Sequence, residues 1–287
     1  MRRLALPLAA ALLAALAAPL APAPAAAADT VARMKETGEL RLAVRRDARP
    51  LSFMEGDTAQ GYSVEVCVEA AQRMMRDLGI EGLGFVYVPV GVDDRFAAVA
   101  EGRADLLCGA ATVTMSRRET VDFSMATFVD GATVLAPTGT EVGDFADFED
   151  QRIGVRAGTT TERALRNSLA ELGVTAEVIP LPDHRDGLAG LLEGRLDFYF
   201  GDQSILLALA TDPSAAGKIA MAQELLTVET HALALPWSDN AFRLAVDRAL
   251  ASMYRDGSME RIFARHFPGS RPGIALRALH LLSAIPE

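Results

Sequence analysis

The side chains best suited to chemistry in this chain are two charged groups set among small and hydroxyl-bearing neighbours. The stretch from 108 to 124 reads "CGAATVTMSRRETVDFS". Ser116 and Glu119 have capping-box spacing, which predicts that Arg117 lies in the first turn of a helix. A cation there opposes the helix dipole and needs an anionic partner; a ligand is one. "TTTERALRNSLAELG" opens a second helix at Thr159, whose free N–H groups also favour an anion. Asp202, after "FYFG", is placed to hold an ammonium. Together these suit a zwitterion, with its α-carboxylate on Arg117 and the Thr159 turn and its α-ammonium on Asp202. One charge-assisted hydrogen bond contributes about 1.5–3 kcal/mol. Four or five, less the cost of association, reach the roughly 8 kcal/mol of a micromolar complex. Simpler readings stand beside these: Arg117 as a surface arginine, and Asp202 as the cap of "QSILLALA". Arg46, Arg49 and Arg118 are read as solvated.

The elements that position these groups alternate. "ELRLAV" (39–44), "GFVYVPV" (84–90) and "ADLLCGA" have strand character, and "SVEVCVEAAQRMMRDLG" and "DDRFAAVAEG" have helical character. In the first helix Cys67, Ala70, Ala71, Met74, Met75 and Leu78 make one buried face. The order then recurs: "QRIGVRAG", "TTTERALRNSLAELG", "AEVIPL", "HRDGLAGLLEG" and "RLDFYFGD". "AAVAEGRADLLCGA" and "AGLLEGRLDFYFGD" share Glu-Gly-Arg-x-Asp between a helix and a buried strand. That repeat predicts two similar α/β lobes. Ligands of open α/β sheets bind beyond the carboxyl ends of the strands. The expected edge residues are Arg45, 92–95 and 110–117 from one lobe, and 158–161, His184 and Asp202 from the other.

Composition bounds the class. The chain has 287 residues, half of them hydrophobic, and a formal net charge of −10, which argues against nucleic acid or an anionic membrane as partner. "MRR", an Ala/Leu-rich run and "APAAAAD" read as a secretory signal peptide cleaved near Ala28. Cys67 and Cys108 are the two cysteines, and in an exported protein they are expected to form a disulfide between the buried helix face and the adjacent strand end. No zinc, thiol-redox or hydrolase motif occurs, and the four histidines lack metal-ligand spacing, so neither metal nor cofactor is expected.

"GYSVEVC", "DLLCGAATVTMSRRETVDFS", "RAGTTTERAL" and "PDHRDGLAGLLEGRLDFYFGDQSILLA" resemble the periplasmic amino-acid-binding proteins of ABC importers, solute-binding family 3. The branch most similar is the glutamate/aspartate-binding proteins. The resemblance runs from about Thr30 to Phe267. It implies a two-lobed α/β fold with two crossover strands and a ligand cleft. The implied divisions are 1–28 (signal peptide), 29–132 with 230–267 (first lobe), 133–229 (second lobe) and 268–287 (tail). It also implies Arg117 on the α-carboxylate with Thr112 and Thr159, and Asp202 on the α-ammonium with Thr112 and the Ala110 carbonyl. Arg45, Arg95 and His184 would surround a side-chain carboxylate. Relatives often carry hydroxyls where this chain has Val92, Ala110 and Ala111.

The expected protein is a monomeric periplasmic receptor, not an enzyme. It would deliver an acidic or polar L-amino acid to an inner-membrane ABC permease. The alternatives are an enzyme on the same fold, similar to cyclohexadienyl or arogenate dehydratases, and a ligand-sensing accessory protein.

Overall fold

The structure, a computed structural model, describes residues 29–82 and 84–286. The expected signal peptide lies outside them. Among the described residues no helix is long and apolar enough to cross a membrane.

Two five-stranded sheets share one plan. The first runs Gly84–Val90, Glu39–Arg45, Leu106–Cys108, Glu229–Pro236, Val121–Asp130. The second runs Glu177–Leu181, Arg152–Arg156, Phe198–Asp202, Ala132–Pro137, Ile219–Met221. In each, the first three strands are parallel and the fourth is antiparallel to the third. Helices cover both faces. Residues 42–45 are therefore buried in succession rather than in alternation.

The repeated Glu-Gly-Arg-x-Asp has a structural cause. Asp105 accepts the backbone N–H of Arg41 at 2.7 Å and its guanidinium at 2.8 Å. Asp197 does the same for Arg152, at 2.9 and 2.7 Å. In each lobe the aspartate fastens the start of its own strand to the parallel neighbour.

Helix Tyr62–Leu78 buries Cys67, Ala70, Ala71 and Met74, while Met75 and Leu78 stay partly exposed. Cys67 is disulfide-bonded to Cys108, with Cα atoms 5.9 Å apart. The bridge anchors the strand that leads into residues 109–112. Helices Asn240–Arg255 and Ser258–His266 pack on Tyr62–Leu78, and Ile274–Leu282 lies against Val121–Asp130. A small sheet of Asp47–Ala48, Ser52–Glu55 and Thr58–Gln60 folds over the end of Glu39–Arg45.

The chain passes between the two large sheets at 130–132 and again at 227–229. The passes touch at Gly131, where a Cβ would stand 2.2 Å from the Thr227 carbonyl oxygen. Only glycine fits there.

Candidate functional site

The carboxyl ends of the parallel strands of both sheets face one cavity. Its lining includes Arg45, Arg95, Ala110 and Thr112 from the first lobe and Arg156, Thr159, Thr160, Thr161, His184 and Asp202 from the second. Seven of the eight residues singled out by sequence thus meet in one place. The eighth, Arg117, touches that lining: its Nη1 donates to the Thr112 carbonyl at 2.6 Å.

Arg117 does not sit in a capped helix. Residues 117–119 form a single 3-10 turn, and Ser116 makes no capping bond. Thr114 Oγ1 accepts the Arg117 N–H at 3.2 Å instead. The dipole argument made from Ser116 and Glu119 therefore fails, because one turn has too few aligned peptides. What holds Arg117 is the Thr112 carbonyl and the face of Phe96, 4.6 Å away. Burial lowers its pKa to about 10, so it remains a cation at neutral pH.

At this end of the cavity carboxylates meet hydroxyls. Thr112 Oγ1 donates to Glu229 Oε2 at 2.6 Å, and Thr160 Oγ1 donates to the same oxygen at 3.0 Å. Asp202, which ends strand Phe198–Asp202, accepts from Thr161 Oγ1 at 3.1 Å. Burial, then the neighbouring Asp130, push its carboxyl up to about 6. Asp202 makes no cap bond to helix Gln203–Ala210. Asp130 takes up the buried amide of that helix start, accepting from the Ser204 N–H at 3.2 Å and from its hydroxyl. His231, only 1% exposed, has no hydrogen-bond partner on either ring nitrogen among the described residues, and its Nε2 lies 4.0 Å from Asp202 Oδ2. Asp130, Asp202 and His231 come together from three distant strands, which sequence spacing cannot reveal.

Thr159 caps helix Thr160–Leu172. Its hydroxyl accepts from the Glu162 N–H at 3.1 Å and donates to the Arg156 carbonyl at 2.8 Å. Glu162 reaches past it to the Gly158 N–H at 2.9 Å. The Thr159 hydroxyl is committed, so Thr160 presents the hydroxyl that reaches across to Thr112, and Thr161 the one that meets Asp202.

The other end collects guanidinium groups. Arg45, Arg95 and Arg156 are all buried. Asp47 accepts from Arg45 Nε at 3.1 Å and Nη2 at 2.5 Å, and from Arg156 Nε at 2.9 Å. Burial alone would raise the Asp47 carboxyl, but Arg45 and Arg156 overcome it and hold it down at about 2. Arg95 begins the short helix Arg95–Ala100 and is 3% exposed. Its Nη1 donates to the Val92 carbonyl, its Nε has no partner, and among the described residues no carboxylate lies within ion-pair distance of it. Burial, then Arg45 and Arg117, lower its pKa to about 8. His184 Nδ1 meets the Tyr199 hydroxyl at 2.9 Å. Burial and then Arg45 bring its pKa down to about 3, so the imidazole is neutral.

Thr160 and Thr161 fall within the expected 158–161 edge, whereas Asp47, Arg156 and Glu229 were missed from sequence. Arg156 ends strand Arg152–Arg156, so taking the strand end two residues earlier would have included it. Asp47 and Glu229 carry no such signal, since one depends on the folded-back small sheet and the other on the second crossing.

Comparison with known proteins agrees with this architecture. The L-glutamate/L-aspartate-binding protein of Pseudomonas aeruginosa is 26% identical over 240 residues, 83% of this chain and 80% of that one. The glutamate/aspartate import solute-binding protein of Escherichia coli is 25% identical over 248 residues, 86% of this chain and 82% of that one. The crystal structure of an ancestral amino acid-binding protein, a precursor of cyclohexadienyl dehydratase, superposes with a TM-score of 0.71 at 22% identity, covering 83% of this chain and 99% of that one. Residues 40–269 match a single family along their whole length, and the chain belongs to the bacterial extracellular solute-binding proteins, family 3.

Proposed function

We propose that the protein is a monomeric periplasmic receptor that captures an acidic L-amino acid, glutamate or aspartate, and delivers it to an inner-membrane ABC importer. The observation that carries this reading is Arg95, a buried guanidinium facing the cavity with no carboxylate of its own. A buried, unpaired cation costs several kcal/mol in general, so a ligand that brings a second carboxylate relieves it. The α-ammonium sits on Asp202. The α-carboxylate takes Arg117 with the Thr112 and Thr160 hydroxyls, which Glu229 then gives up. The side-chain carboxylate meets Arg95, with neutral His184 as a hydrogen-bond partner. The ligands named for the two curated relatives support the same choice.

Titration calorimetry of the mature protein against a panel of amino acids tests this. Glutamate or aspartate should bind tightest. Tighter binding of lysine, arginine or leucine than of both acids would sink the reading.

One observation favours a second reading, dehydration of a cyclohexadienyl acid. Asp202, with its carboxyl near 6, is poised as a general acid in a cavity. Incubation with prephenate and arogenate decides between them. The receptor reading expects no aromatic product.

A further inference from the structure

We infer that Asp47 is a specificity-determining residue: an internal counter-ion that consumes Arg45 and Arg156 and so limits the negative charge the ligand side chain can carry. The inference rests on the receptor reading above and refines it.

Three guanidinium groups stand at one end of the cavity: Arg45, Arg95 and Arg156. Three cations crowded together out of water repel one another and demand anions. Asp47 supplies one, and it supplies it to two of the three. Its Oδ1 is gripped by Arg45 from the first lobe and its Oδ2 by Arg156 from the second. Each carboxylate oxygen thus faces a different arginine, and one negative charge is shared between two guanidinium groups. Arg95 is left out of the arrangement. A ligand carboxylate arriving here finds one guanidinium without a counter-ion rather than three, and a side chain of higher charge meets the negative charge of Asp47. Asp47 lines a larger groove next to the cavity, and Arg156 and His184 line both.

Asp47→Asn removes one negative charge with little change of shape and leaves Arg45 and Arg156 without a counter-ion. The experiment measures Kd for L-glutamate and O-phospho-L-serine, whose phosphate carries nearly two negative charges, on wild type, Asp47→Asn and Asp47→Asn/Arg156→Gln. Wild type should prefer glutamate. In Asp47→Asn the ratio should move toward O-phosphoserine by roughly tenfold or more, the scale of one charge-assisted bond. The double variant restores the local charge and should bring the ratio back toward wild type. An unchanged ratio in Asp47→Asn overturns the inference, and so does a double variant that follows the single one, since that marks a merely structural residue.

If wild type bound no acidic amino acid, the receptor reading would fail for that ligand. Asp47→Asn gaining affinity for O-phosphoserine would still support the counter-ion role, and gaining none would overturn it. Should Asp47→Asn not fold, Arg156→Gln perturbs the same balance in the opposite direction. It should narrow the margin of glutamate over glutamine, and an unchanged margin overturns the inference.

Discussion

The two ends of the cavity solve the burial of charge differently. At one end Asp202 and Glu229 accept threonine hydroxyls, and Asp130 stands beside Asp202 and His231, whose ring nitrogens have no hydrogen-bond partner among the described residues. The excess there is negative, and it can be relieved by a proton: the Asp202 carboxyl has risen to about 6. At the other end Arg45, Arg95 and Arg156 gather around Asp47 and a neutral His184. The excess there is positive and is relieved by the internal carboxylate, except at Arg95. The contrast predicts which ligand groups each end takes and how each responds to pH and substitution.

Arg117→Ala should have the largest effect. It removes the partner of the α-carboxylate, which every amino acid shares. Breaking a buried charge pair costs roughly 3–5 kcal/mol, beyond two decades in Kd, for glutamate and glutamine alike. Calorimetry on both ligands checks it; wild-type affinity in the variant would move the α-carboxylate elsewhere.

Arg95→Met should act at the opposite end only. Loss of one charge-assisted bond, about 1.5–3 kcal/mol, should fall on glutamate and spare glutamine. An equal loss for both would erase the distinction between the ends.

Proton linkage comes next. Asp202 titrates near 6 in the ligand-free protein, above its ordinary 3.8. An ammonium favours the ionised form, so binding below that pH releases a proton. Affinity should rise with pH to about 6 and level off above it, changing by up to roughly tenfold per pH unit below. In the ligand-free fold the sign is reversed: the stability associated with protonated Asp202 is full below pH 3.8 and is lost as pH rises through about 6. Titrations in two buffers of different ionisation heat measure the released proton. A flat profile with no proton release would remove the ammonium from Asp202.

The smallest effect is expected at His184. A neutral imidazole offers one ordinary hydrogen bond, worth about 1 kcal/mol, so His184→Gln should cost glutamate less than tenfold. A loss as large as that of Arg95→Met would make His184 a cation and the two ends less distinct.

Much of this site was legible in the sequence for one reason. In a parallel sheet the strand ends are fixed by hydrophobic runs, and those runs can be read. Arg45, Ala110, Thr112 and Asp202 follow directly from where the apolar stretches stop. The Glu-Gly-Arg-x-Asp repeat was legible as well, because the same fastening is needed in both lobes and recruits the same residue types. Pairing was not legible. Which carboxylate meets which arginine depends on loops such as 46–52 that fold back over a strand end, and on crossings that bring residue 229 to residues 112 and 160. Local rules also misled at Ser116, where capping-box letters stand on a turn too short to need a cap.

Glu229 has a consequence for how the protein lets go. Its carboxylate already holds the Thr112 and Thr160 hydroxyls, one from each lobe. A ligand carboxylate that takes those hydroxyls swaps one anion for another instead of filling a void. Capture then becomes an exchange reaction, in which each hydrogen bond the ligand accepts from these threonines is offset by one that Glu229 surrenders. Such a receptor holds its cargo less tightly than its donors would suggest, and it carries its own displacing group for the moment of release.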